Sequence, residues 1–207
     1  MKSLVFTVCF VLPVGLAACK SSSPPNGNAA TASSVTPAAA PAPARPSASG
    51  AANQGVELAW TDPPTWRRSP RVIPMRKATY EVPRADKDLE DGECGVFYFG
   101  PGMGGSIDAN IDRWVKQFKD LPADKVKRAD RSVNGLVAHT VEIDSGSFNA
   151  NSMGRAGQDM IKPNFGLLGA IVEEPSGEYF FKLTAPERTI AQARADFYRM
   201  LDSVHVK

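Results

Sequence analysis

The apolar positions of the chain fall into segments of definite period. Val96–Phe99 is a short apolar run that breaks into Gly100, Gly102, Gly104 and Gly105. Beyond it, Ile107, Ile111, Trp114, Val115 and Phe118 stand at i, i+4, i+7, i+8 and i+11, the spacing of one helical face. Ser106 is placed to cap that helix, and Asp108 lies in its first turn, where the helix dipole favours negative charge. Strand, tight loop and amphipathic helix in this order require a sheet for the helix to lie on.

The rest of the chain supplies one. In Leu136–Asp144, Val137, His139, Val141 and Ile143 share one face; Ala138, Thr140, Glu142 and Asp144 share the other. His139 is thus expected in the core. Asn134-Gly135 ahead of this strand is a hairpin signal, so Lys125–Ser132 is its partner. Arg71–Val82 reads as a strand at an edge or with a bulge, because it contains Pro74. It pairs with Glu93–Phe99 across a solvated acidic turn, Arg84–Glu93. Leu167–Val172 and Glu178–Leu183 make another hairpin around Glu173–Gly177. The last helix starts at Pro186 or Thr189 and buries Ile190, Ala193, Phe197, Met200, Leu201 and Val204. Trp60 and Trp66, held by Pro63 and Pro64, are expected to cover one edge of the core, with an exposed binding platform as the other reading. The expectation is an α+β domain: a largely antiparallel β-sheet of about six strands, packed by an internal and a C-terminal α-helix.

Ser145–Asn164 has neither period. It is rich in Gly, Asn and Ser, and reads as a long loop. Two readings stand for it, a binding loop and a surface loop without a ligand. The candidate contacts are Phe148, Met153, Arg155, Gln158 and Met160, joined by Gly102 and Gly104 of the glycine loop. That loop lacks the Gly-Lys-Ser/Thr of a nucleotide-phosphate loop and misses the dinucleotide spacing. Its glycines are expected to supply positive φ and close backbone approach, with an anion cradle at the helix N-terminus as the other reading.

Composition separates three regions. Residues 1–18 carry Lys2 and then an uncharged apolar run, Leu4–Leu16, shorter than the roughly 20 residues a spanning helix needs. Residues 19–54 are Ala, Ser, Pro, Gly, Asn and Thr almost throughout, and cannot bury enough apolar surface to order themselves. As a flexible coil they span roughly 30–35 Å. Residues 55–207 form the globular domain, with 21 Lys and Arg against 22 acids. This excludes a basic nucleic-acid footprint.

The chemistry of the domain is sparse. There is no Gly-x-Ser-x-Gly, Ser-x-x-Lys or His-Glu-x-x-His motif. Two isolated histidines, His139 and His205, make no zinc pattern, and the acidic turn misses the calcium-loop spacing. Cys94, at the margin of an apolar run, is expected to be buried, with a free thiol as the other reading. No cofactor or metal is expected, and no enzyme activity.

Leu16-Ala17-Ala18-Cys19 resembles the lipobox of bacterial lipoproteins. The resemblance implies a cleaved signal, lipid on Cys19 and a cell-envelope location. Lys20 and Ser21 after the cysteine, in place of Asp, favour the outer membrane in a diderm. Pro64-Thr65-Trp66, the helix with Asn110 to Phe118, and EYFFKLTAPERTI with the Phe-containing helix after it resemble the Mog1/PsbP-type fold of envelope lipoproteins. That family acts mostly in binding and assembly. The resulting expectation is a lipid-anchored, non-catalytic module with an envelope protein partner. The other reading is a small-ligand carrier or hydrolase with a cleft between sheet and helices and His139 at its wall.

Overall fold

The computed structural model describes residues 57–151 and 159–207. In chain order the elements are β1 (Leu58–Ala59), β2 (Arg67–Arg68), β3 (Arg76–Val82), β4 (Gly92–Tyr98), α1 (Ile107–Val115) and β5 (Phe118–Lys119). After a 3₁₀ turn at Ala123–Lys125 come β6 (Val126–Val133), β7 (Leu136–Asn149), β8 (Ile161–Glu174), β9 (Gly177–Pro186), α2 (Glu187–Asp202) and β10 (His205–Val206).

β2 to β9 build one antiparallel sheet in the order β2-β3-β4-β9-β8-β7. β5 and β6 both pair with the outer edge of β7, at opposite ends of that strand. The sheet therefore has eight strands where the periodicity predicted about six, and β1 and β10 form a separate two-stranded ribbon. The α+β class and the antiparallel pairing are as expected.

Alternation assigns the two faces. Cys94 and Val96 of β4, Leu168, Ala170 and Val172 of β8, and Phe181 and Leu183 of β9 pack with Ile190, Ala193, Phe197, Met200 and Leu201 of α2. Val141 and Ile143 of β7, Leu167 and Ile171 of β8, and Phe180 of β9 pack with Ile111 and Trp114 of α1. A helix thus lies on each face, and β8 runs between them with eight consecutive buried residues, Phe165–Val172. Cys94 is fully buried, and burial pushes its thiol pKa far up. Among the described residues no helix is long and apolar enough to cross a membrane.

Local chemistry explains the turns. Asn134 and Gly135 both take positive φ (47° and 85°), as a two-residue hairpin requires. Ser106 caps α1 by accepting a hydrogen bond from the Ala109 N–H at 3.3 Å.

Four expectations are corrected. α1 stops at Val115, and Phe118 belongs to β5, opposite Phe148. Both ends of Ser145–Asn164 are strand: after register shifts at Gly146, Phe148 pairs with Lys162 and Asn149 with Ile161. The bulges let a Gly- and Ser-rich stretch stay in the sheet while its alternation is lost. The acidic turn is docked as well as solvated, since Asp88 accepts hydrogen bonds from the Thr189 N–H (2.8 Å) and hydroxyl (2.7 Å) at the start of α2. His139 is no core residue. It stands past Val141 on the α1 face, where Asp130 and Glu173 each approach one ring nitrogen at 2.7 Å.

Candidate functional site

α1 is short and covers only part of its face. It is seated by Trp114, whose ring occupies the space above Gly169 of β8; a Cβ there would stand 2.6 Å from that ring. Over β4 and β9 the face stays open, leaving a groove of about 420 Å³. Its floor carries Gly95 and Phe97 of β4, Phe180, Lys182 and Thr184 of β9, Phe165 of β8 and Phe148 of β7. Asn110, Arg113, Trp114 and Gln117 form the helix wall; Arg76, Glu93 and Phe99 line the opposite side, and Asp91, Ala150 and Lys162 close the lining.

Six aromatic rings and four cations therefore share one concave surface. The rings contact one another: Phe99 with Phe180 (5.3 Å between centroids), Trp114 with Phe180 (6.4 Å) and Phe148 with Phe165 (5.9 Å). Three cations lie over ring faces, Arg76 on Phe97 at 4.8 Å, Lys162 on Phe165 at 4.9 Å and Lys182 on Phe148 at 5.8 Å.

The charges are not equally matched. Arg76 pairs with Glu93 at 2.8 Å, and Lys162 pairs with Glu90. Lys182 donates to the neutral Gln117 side-chain oxygen, and Arg113 to the Asn110 side-chain oxygen at 3.0 Å. Burial drives the Lys182 pKa down to about 8; the field of Glu93 opposes this and that of Arg76 adds to it. Asn110 is itself fixed by hydrogen bonds to the carbonyls of Gly104 (2.8 Å) and Ser106 (2.9 Å), which sets the wall position of Arg113.

Two larger depressions, each about 650 Å³, lie elsewhere. One is walled by the exposed side chains around Lys87–Glu90 and Ile161–Asn164, the other by Lys119–Lys127 and Asp144–Ser147. Lys127 and Asp144 pair with each other across the second, whose lining has no aromatic side chain, and Phe165 is the one aromatic in the lining of the first.

Among the candidates from the sequence, Phe148 is buried and lines the groove. Gly104 lies against Phe180, with a Cβ there only 2.8 Å from that ring, so it closes one part of the groove without lining it. Gly102 (φ 65°) is exposed on its loop, and Met160 is exposed beside the base of the β7–β8 hairpin. Met153, Arg155, Gln158 and Cys19 lie outside the described residues. His139 is not part of the groove wall. Burial alone would lower its pKa, but the hydrogen bonds that Glu173 and Asp130 accept from its ring, together with their charge, outweigh burial and raise it. No group of three metal-ligating side chains converges among the described residues.

Sequence reasoning missed Lys182 and Arg113. The available signal was Lys182 itself, an ammonium inside Tyr179–Leu183, a strand with apolar residues on both faces.

No protein-family model and no curated protein matches the chain. Several solved structures are similar to it, and two of them serve as examples. One is the PsbP protein (CyanoP) of the cyanobacterium Synechocystis sp. PCC 6803, at 12% identity over 76% of this chain and 96% of that one, with a TM-score of 0.42. The other is PA94 of Pseudomonas aeruginosa, a protein of unknown function, at 12% identity over 62% of this chain and 81% of that one, also with a TM-score of 0.42. The α+β class rests on the chain's own elements, and no function follows from similarities this distant.

Proposed function

We propose that the chain is a lipid-anchored binding module of the cell envelope, that it works without catalysis, and that the groove beside α1 is its recognition site. The observation that carries the reading is the groove itself: an aromatic floor set beside two cations, Lys182 and Arg113, that pair with no carboxylate among the described residues. Pockets of this size, mostly apolar with a few convergent polar groups, are where small ligands bind. Two features speak against catalysis. The Cys94 thiol is sealed under α2, and both ring nitrogens of His139 are engaged outside the groove. Leu16-Ala17-Ala18-Cys19 and the unordered composition after it support the anchor.

Two experiments test this. Cells fed labelled palmitate should incorporate it into the wild-type chain and not into Cys19→Ser, which should leave the membrane fraction. A photo-reactive phenylalanine analogue at Phe99, on the groove side, should form adducts in intact cells. The same analogue at Val137, exposed and away from the groove, should not. Adducts at Val137 with none at Phe99 would reject the groove.

A further inference from the structure

The charge inventory of the groove narrows what it accepts. Its two carboxylates are already engaged: Glu93 holds Arg76, and Asp91 holds Arg67 at 3.2 Å and the Arg84 N–H at 3.0 Å. Lys182 and Arg113 are in ion-pair contact with no carboxylate among the described residues; each meets only a neutral amide oxygen. An ammonium withdrawn from water without a counter-charge is a costly arrangement, and an incoming anion relieves it. Phe148 and Phe180 lie beside that ammonium as an apolar floor, and Trp114 closes the helix side.

We propose that the groove takes a small organic anion, an aromatic or alicyclic body bearing one carboxylate, with the carboxylate on Lys182 Nζ and the body on the rings of Phe148, Phe180 and Trp114. Arg113, exposed on the wall, supplies a second donor near the mouth. This deepens the binding reading above and rests on it. Burial lowers the Lys182 pKa and the Glu93 charge opposes this only in part, which gives the anion site a proton-dependent lifetime. Above about pH 8 the ammonium empties of charge and the carboxylate loses its partner.

The test uses the full chain in detergent, calorimetry, and two probes of one shape: 1-naphthoate and the neutral 1-naphthylmethanol. At pH 7 naphthoate should bind at least about tenfold more tightly, the effect of one charge-assisted contact. That preference should fade as the pH rises past about 8. Lys182→Met should erase the preference and Lys182→Arg should restore most of it, with circular dichroism reporting that both variants are folded. Equal binding of the two probes by the wild type, with no pH dependence, would overturn the anion assignment and leave the groove standing as an apolar site. Binding of neither probe would overturn the assignment and the small-ligand groove together.

Discussion

The two helices rest on opposite faces of one sheet and use it differently. α2 is 16 residues long and lays Ile190, Ala193, Phe197, Met200 and Leu201 over a face of Cys94, Val96, Leu168, Ala170 and Phe181; this layer is closed. α1 is nine residues long and buries only Asn110, Ile111 and Trp114. The strands on its side run out from under it in two places. Toward β4 the bare face is the aromatic and cationic groove. Toward β6 it carries His139 between Asp130 and Glu173. The lesson is a division of labour: a wide, dry interface on one face carries stability, so the other can hold charge in a half-covered recess.

The strongest way to break this comparison is to remove the centre of the closed layer. Phe197 is fully buried, and Phe197→Ala should cost about 3–5 kcal/mol in urea denaturation, through lost burial and an unfilled cavity. A loss under about 1 kcal/mol would mean that α2 is not the stabilising layer.

A smaller effect is expected at the seat of α1. Gly169→Ala places a methyl carbon where the Trp114 ring lies, and should cost about 1–3 kcal/mol by overpacking. Trp114 should be displaced and the groove deformed while α2 stays packed, so tryptophan emission should change with little loss of far-ultraviolet ellipticity. Unchanged emission would show that this contact does not hold α1.

The smallest effect concerns His139. Its pKa is raised in the folded state, so the clasp contributes fully below the ordinary histidine value of about 6.5. That contribution is lost as the pH rises through the folded value. Thermal midpoints should therefore fall as the pH rises above about 6.5, and His139→Gln should flatten the slope. An identical slope in that variant would assign the pH dependence to other groups.

How far the molecule could be read from its residues differs between the same two faces. The α2 layer was legible because a long helix with a complete apolar stripe leaves one solution, and all six residues of that stripe are buried. The Asn134-Gly135 turn and the Ser106 cap were legible because each depends on a few neighbouring residues. The other face was harder to read. Phe118 keeps the helical spacing although α1 has already ended, since an apolar residue suits the next strand equally well. The bulges at Gly146 erase the two-residue alternation that would have marked the end of β7 and the start of β8. The groove left no local pattern at all. It exists because α1 is too short to cover β4 and β9, and the length of a helix relative to a sheet is a property of the assembled domain. Lys182 on its own reads as one charged residue in a strand, and only the lack of a paired carboxylate among the described residues makes it informative.

The ribbon of β1 and β10 has a mechanical meaning if the protein is anchored at its N-terminal end. Leu58 is buried like a plug and pairs with Val206, its N–H donates to the Tyr179 hydroxyl at 3.3 Å, and the Lys207 N–H reaches the Glu57 carbonyl at 2.9 Å. Tension arriving along the backbone at residue 57 must strip these few bonds before it pulls on the eight-stranded sheet. The ribbon would then act as a fuse, yielding first under strain from the membrane and sparing the register of the strands that shape the groove.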